Sequence, residues 1–435
     1  MIFKVSKKLC KGVSYMKKVV IITCILLFGL LFFSEDVITL NLIEAFSSPY
    51  RTPTLKNIIQ IFETLNPGVK INVISPPYET AYQKINLMMS TEQPLDIVEI
   101  GDWNLSALAA MGKLEDLSRY IDSWYEKDDM IEGVLEVAKT YQDTPYLLPH
   151  GVFVKALFYR PDILEKYGFK SYPKTMPEMY DMAKKLRESG KNQYGFDFRG
   201  KGYPTAFIDI VLTSFFDDID PNNMYLTTSG EIIFEDPRAI EGLNFYVSLY
   251  KDTAPKDSVN WGWDEQINAF VSGITPLLFQ DPDTTGMLNE MLEPGQYKTA
   301  PIPLGVSEKI YPTFGFVGWG IPTYSEHKDL AWKFIKFVSS VEINGYWSKS
   351  YGALPILKSV YTYDSYFSSD IFEGWTKMFE DTEHYQFTQY PLDNENWGKW
   401  NEFQEKTMQQ VLLGKLSVES CLKEWADFWK EAGIK

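Results

Sequence analysis

Apolar and polar positions alternate through residues 37–46, with Ile38, Leu40 and Leu42 on one face; this period of two predicts a strand. Ser47-Ser48-Pro49 breaks it, and Thr54 is placed to cap a helix carrying Leu55, Ile58, Ile59, Phe62 and Leu65 along one side. Asn66-Pro67-Gly68 stops that helix, and Val69, Ile71 and Val73 alternate as the next strand. A strand, a helix and a strand in this order make a parallel pair with a crossover. A second helix around residues 82–89 leads to a third strand at 95–100, followed by Gly101-Asp102-Trp103. Open α/β sheets bind ligands at the carboxyl ends of their strands, so the turns at 44–47 and 102–103 are expected on one rim.

Residues 147–160 form the stretch around which the rest is arranged. From Val152 to Tyr159 the chain is aromatic, β-branched or leucine almost without break, and Lys155 is the single charge. A lysine is tolerable in such a run where a strand leaves one core, crosses a wet gap and enters another. Beyond it, Pro161 opens a helix at its first position, and Thr175-Met176-Pro177-Glu178 has the spacing of a capping box. Asp236-Pro237 caps a further helix, Asn260-Trp261-Gly262-Trp263-Asp264 introduces another, and a strand at 276–280 closes on Asp281-Pro282-Asp283. The glycine-laced run 314–322 reads as a second crossing, and residues 387–397 as a third. These readings divide the chain into one lobe of residues 35–153 and 320–388 and another of 154–319 and 389–435.

Composition narrows the function. Six lysines and no acid occupy residues 1–18, and residues 19–33 are almost wholly apolar, the layout of an export signal over residues 1–34 or of a retained N-terminal anchor. Cys24 offers a weak lipid-attachment context. The net charge of −16 becomes −22 without those lysines, which argues against nucleic acid and anionic membrane surfaces as partners. Only Cys421 then remains, so there is no disulfide framework. The chain carries 12 Trp, 27 Tyr and 28 Phe, a surplus that suits a cleft stacking on apolar ring faces.

Several stretches, in register along nearly the whole chain from Val37, carry a resemblance: Asn66-Pro67-Gly68-Val69-Lys70-Ile71, Leu95-Asp96-Ile97-Val98, Leu157-Phe158-Tyr159 with Asp162, Ala269-Phe270 with Gly273, Ala331-Trp332-Lys333-Phe334-Ile335 and Gly352-Ala353-Leu354-Pro355. Together they resemble the extracellular solute-binding proteins of ABC importers, the broad family that includes maltose-binding protein. Departures include Met176 where the family usually has Trp, Arg160 where it usually has Asn, and Thr275-Pro276 in place of a small residue and Met. The resemblance implies a type II periplasmic-binding-protein-like α/β fold, two lobes joined by three crossings. It also implies an exported, periplasmic or surface-associated protein that delivers a neutral sugar, oligosaccharide or polyol to membrane permease subunits, acts as a monomer and needs no cofactor.

Candidate ligand residues follow from chemistry and position. Asp102 beside Trp103 pairs a hydroxyl acceptor with a stacking ring. Glu44, Phe46 and Ser47 occupy the equivalent turn of the first strand; Asp281 and Asp283 end a later one. His150 precedes the hinge run, Arg199 lies in a glycine-flanked loop, Trp319 sits between two glycines, and Tyr351 precedes Gly352. Trp397 and Trp400, at i and i+3, would be core by default, but the resemblance places an aromatic near the ligand there. Catalytic readings find little: the three histidines are scattered, no GxSxG elbow exists, and Gly195-x-x-x-x-Gly200-Lys201 lacks the hydroxyl residue of a phosphate loop. A glycoside hydrolase built on two carboxylates, or a peptide or adhesion module, stays as the alternative.

Overall fold

The computed structural model describes residues 37–47, 51–131, 133–137, 139, 141–190, 193–202 and 204–434. The segment read as an export signal or anchor, and the Ser48-Pro49 break, lie outside the described residues.

Among the described residues two sheets organise the chain. The first has five strands in the order β2-β1-β3-β11-β4, formed by β1 (Ile38–Ile43), β2 (Val69–Ile74), β3 (Ile97–Gly101), β4 (Leu148–Phe153) and β11 (Gly315–Gly320). The second runs β10-β5-β9-β6, from β5 (Ala156–Tyr159), β6 (Phe196–Asp197), β9 (Leu277–Gln280) and β10 (Lys298–Ala300). A small antiparallel pair, β7 (Ile219–Asp220) and β8 (Asn223–Thr227), stands apart.

In the first sheet β1 pairs in parallel with β2 and β3, as the crossover argument requires. Helix Arg51–Leu65 covers it with Leu55, Ile58, Ile59 and Phe62 buried. That helix starts a turn earlier than its period suggested, so Thr54 lies inside it rather than capping it, and Leu65 is 64% exposed. Pro149 is part of β4; it sits opposite Gly318 on an edge strand, where a missing N–H costs no ladder bond to a further neighbour.

The continuous apolar run 152–159 divides into two strands. β4 ends at Phe153 and β5 begins at Ala156, so the chain leaves one sheet and enters the other through Val154-Lys155. The return differs from the sequence-based expectation. β11 pairs antiparallel with β3 through Val317–Gly320 and with β4 through Gly315–Trp319, so residues 315–319 belong to the first sheet rather than to the second lobe.

The last crossing also moves. Helix Lys358–Tyr363 packs beside helix Val341–Tyr351 of the first half, but helix Glu373–Glu380 packs on β10 and β5 of the second. Its amphipathic face decides this: the Trp375 indole donates to the Val154 carbonyl at 2.6 Å, and its ring meets Phe158 edge-on at 5.7 Å. The chain therefore returns to the second half within residues 364–370, and residues 373–380 were misplaced by a boundary at 388.

The second half buries its helices deeply. Thr175 caps helix Met176–Ser189 by accepting from the Glu178 amide at 3.3 Å, and Asp236 caps helix Pro237–Thr253 by accepting from the Arg238 amide at 2.8 Å. Trp425 and Trp429 of the last helix (Val418–Glu431) pack on Trp400 of helix Trp397–Leu412 at 5.6 and 5.2 Å. Each such ring removes about 150–250 Å² from water, which fixes these helices to the second half. Among the described residues no helix is long and apolar enough to cross a membrane.

Candidate functional site

The carboxyl ends of β1 and β3 open toward the second sheet, and there the chain gathers charge and rings. After β3 the Asp102 amide donates to the Phe316 carbonyl at 3.2 Å, which ties this turn to β11. The Trp103 ring folds back over Gly101, where an added Cβ would lie 1.9 Å from the ring carbons. Only glycine admits that approach. Phe46 meets Trp103 edge-on at 4.8 Å, so the two rings form one wall with Asp102 beside it, all three half-buried.

The opposite wall comes from the crossing and the second sheet. Lys155 Nζ donates to Asp281 Oδ2 at 2.6 Å and stands 4.6 Å from the Phe207 ring centre; the Arg199 guanidinium lies 5.5 Å from the same centre. Asp283 follows Asp281, and its Oδ1 is buried without a hydrogen-bond partner. Tyr351 closes one side, 5.9 Å from Phe153. The backbone at Gly352, with φ of +96°, lies so close to the Asp283 backbone that an added Cβ would stand 2.6 Å from its Cα. The end of helix Val341–Tyr351 thus rests on the turn that carries Asp281 and Asp283.

Electrostatics set this gap apart. Asp102 is pushed up to about 7, chiefly by burial, with Asp281 adding repulsion and Lys155 opposing it. Asp283 is pushed up to about 7 by burial and then by Asp281, against Lys155 and Arg199. Each therefore keeps its proton in mild acid, up to about pH 7, and a protonated carboxyl both donates and accepts hydrogen bonds. Half-buried rings flank acids that need partners, an arrangement that suits a solute with apolar C–H faces and a rim of hydroxyls.

Behind the first wall lies a second polar system that is closed to the gap. Glu99 of β3 accepts from the Ala45 amide at 2.6 Å, the Phe46 amide at 3.3 Å, His150 Nε2 at 2.7 Å and Arg51 Nη2. Burial alone would raise Glu99, but Arg51 and then His150 outweigh it and pull it down to about 2. The Trp347 indole donates to His150 Nδ1 at 3.0 Å. An indole N–H can only donate, so Nδ1 carries no proton and Nε2–H points at Glu99. Burial lowers the His150 pKa, which keeps this neutral tautomer.

Of the residues expected at the site, the fold brings together Phe46, Asp102, Trp103, Tyr351, Arg199, Asp281 and Asp283. Glu44 instead accepts from Thr52 Oγ1 at 2.6 Å and from Arg51 at 3.3 Å and is fully buried. His150 is consumed between Glu99 and Trp347, and Trp319, 1% exposed, packs at 5.1 Å from the His150 ring. Ser47 donates to the Pro76 carbonyl. Trp397 packs on Tyr390 at 4.7 Å, and Trp400 donates to the Tyr225 hydroxyl at 2.7 Å in the core of the second half. Neither presents a free ring face, because helical i, i+3 spacing here serves core packing.

Three contributors were not assigned to the site from sequence. Lys155 was visible as a lone charge in an apolar run, which is itself a usable signal. Phe207 is one apolar residue of the buried helix Thr205–Thr213, and Phe153 ends β4; neither differs in sequence from a core residue. Among the described residues no trio of His, Cys, Asp or Glu is grouped to hold a metal ion.

The model of the bacterial extracellular solute-binding proteins matches residues 48–345. A putative binding protein of Brucella abortus (strain 2308) is 24% identical over 382 residues, covering 86% of this chain and 88% of that one. The structure of maltose-bound T. maritima MalE3 superposes with a TM-score of 0.78 at 22% identity, covering 90% of this chain and 99% of that one. An ABC transporter solute-binding protein from Agrobacterium radiobacter K84, in complex with ribitol, gives 0.76 at 20% identity, with 91% and 99% covered. The fold is the type II periplasmic-binding-protein architecture of these structures. With its family's model matched over residues 48–345, the chain belongs to the bacterial extracellular solute-binding proteins.

Proposed function

We propose that this protein is the extracytoplasmic receptor of an ABC importer, that it closes on a neutral sugar or polyol between its lobes, and that it presents that solute to membrane permease subunits. The observation that carries this reading is the facing of Asp102, Trp103 and Phe46 by Asp281, Asp283 and Lys155 across one gap. The relatives whose bound ligands are maltose and ribitol support the same class of solute.

The proposed role is binding and release without chemistry. A panel of maltose, ribitol, mannitol and tagatose read by thermal shift tests it, since a solute that binds only the folded state raises the melting temperature by mass action. Small-angle scattering with the best solute should show a smaller radius of gyration, because closure about a hinge draws the lobes together. The solute recovered afterwards should be chemically intact; cleavage of an oligosaccharide would instead favour the two-carboxylate hydrolase.

A further inference from the structure

We propose that Arg51 is a positioning residue of the solute gap: one buried cation behind the first wall sets the places of Phe46, Tyr351 and, through Phe46, Trp103. This assignment rests on the gap being the solute site.

The geometry is that of a bracket. Arg51 opens helix Arg51–Leu65 and is 1% exposed. Its Nη1 donates to the Phe46 carbonyl at 2.9 Å and to Glu44 at 3.3 Å, while Nη2 donates to Glu99. The guanidinium carbon stands 4.7 Å from the Trp347 ring centre and 4.8 Å from that of Tyr351. Trp347 and Tyr351 are i and i+4 on helix Val341–Tyr351, so their rings lie on one helical face, and the cation meets that face. A single planar group therefore holds a strand end, a neighbouring strand and a distant helix in one arrangement.

Two of the groups so held belong to the gap. Phe46 is gripped through its own carbonyl by Arg51 and through its amide by Glu99, and its ring meets Trp103 at 4.8 Å. Tyr351 precedes Gly352, which rests on the Asp283 backbone. Arg51 meets the gap through these rings, so its effect on a solute passes through them. A planar fork is needed for this: guanidinium offers donors in several directions and a flat face for stacking, whereas an ammonium is a compact point charge.

The test uses Arg51→Lys, which keeps the buried positive charge between Glu44 and Glu99 but removes the fork and the stacking plane. The full chain is labelled with fluorotryptophan, and the Trp103 resonance is assigned with Trp103→Phe. The expected result is a tenfold or greater loss of affinity for the best panel solute, with the Trp103 fluorine resonance shifted in the solute-free protein and those of Trp425 and Trp429 unmoved. Unchanged affinity with an unmoved Trp103 resonance overturns the proposal, whatever happens to the melting temperature. Movement of all tryptophan resonances together also overturns it, since that is global loosening. Should Arg51→Lys not fold, Glu44→Gln keeps Arg51 but loosens its seat, and a threefold or greater affinity loss with the same fluorine signature is expected. If the wild type binds no panel solute, the functional reading fails, and the solute-free Trp103 resonance still decides whether Arg51 sets this wall.

Discussion

Lys155 Nζ lies 2.6 Å from Asp281 Oδ2, joining the crossing between the two sheets to the carboxyl end of β9. The lysine is 12% exposed and the aspartate 24%, so water screens the pair only in part. Lys155→Met leaves Asp281 facing Asp102 and Asp283 with less compensation. It is expected to cost about 1–3 kcal/mol of stability, below the range for breaking a fully buried pair. Lys155→Met with Asp281→Asn should recover part of that loss, giving a coupling of about 0.5–3 kcal/mol in chemical denaturation. Additive single and double variants would show that the pair is not energetically joined.

Trp103 and Trp400 are expected to respond in opposite ways. Trp103→Ala removes a half-buried wall of the gap and should lower solute affinity by about 2–4 kcal/mol, the range of an aromatic anchor, with a smaller change in stability. Trp400→Ala removes a fully buried ring packed on Trp425 and Trp429 and should destabilise the fold by about 3–5 kcal/mol. Calorimetric melting beside isothermal titration separates the two effects.

That contrast shows where the sequence is legible. Strands β1 to β3 and their helices follow from period-two and period-3.6 patterns, because burial of one face is a local property of the chain. The turn Gly101-Asp102-Trp103 was legible for the same reason: it follows a strand whose end could be placed. Trp319 and Trp400 were not separable from gap residues, since whether a ring faces water or a core depends on what packs over it. Lys155 announced itself as a charge where none was needed, yet its partner Asp281 lies more than a hundred residues away, and only the fold brings them together. The final crossing was misread because Trp375 buries itself on β5, a contact without a local signature.

Stability should depend on pH in two opposite senses. Asp102, Asp283 and Asp209 are each raised from 3.8 to about 7, chiefly by burial. Their contribution is therefore full below the ordinary aspartate value and is lost as pH rises through about 7. Glu99, lowered from 4.5 to about 2, contributes stability present above 4.5 and lost as pH falls toward 2. The melting temperature of the solute-free protein should fall between about pH 5 and pH 8, with Asp102→Asn flattening that slope, and should fall again on acidification below about pH 4. A profile that rises from pH 5 to pH 8 would contradict the burial of these acids.

Gly352 combines a left-handed backbone with contact across the lobes. At φ +96° any side chain is strained, and an added Cβ would stand 2.6 Å from Asp283 Cα. Gly352→Ala should cost at least about 1 kcal/mol from the backbone alone, and more from the contact. Because that contact seats the turn carrying Asp281 and Asp283, solute affinity should fall with stability. Differential scanning calorimetry and titration on one preparation would register both; an unaffected affinity would separate this contact from the site.

The claim at the centre of this account is that a neutral polyhydroxylated solute is held between Asp102–Trp103 on one lobe and Asp281 on the other. Isothermal titration of the best panel solute into wild type, Asp102→Ala, Trp103→Ala and Asp281→Ala measures it most directly. Saturable binding to wild type is expected, with losses of about 1–3 kcal/mol for each aspartate, whose removal leaves hydroxyls unpaired, and more for the tryptophan. Binding to all three variants within a factor of two of wild type would contradict it and place the solute elsewhere.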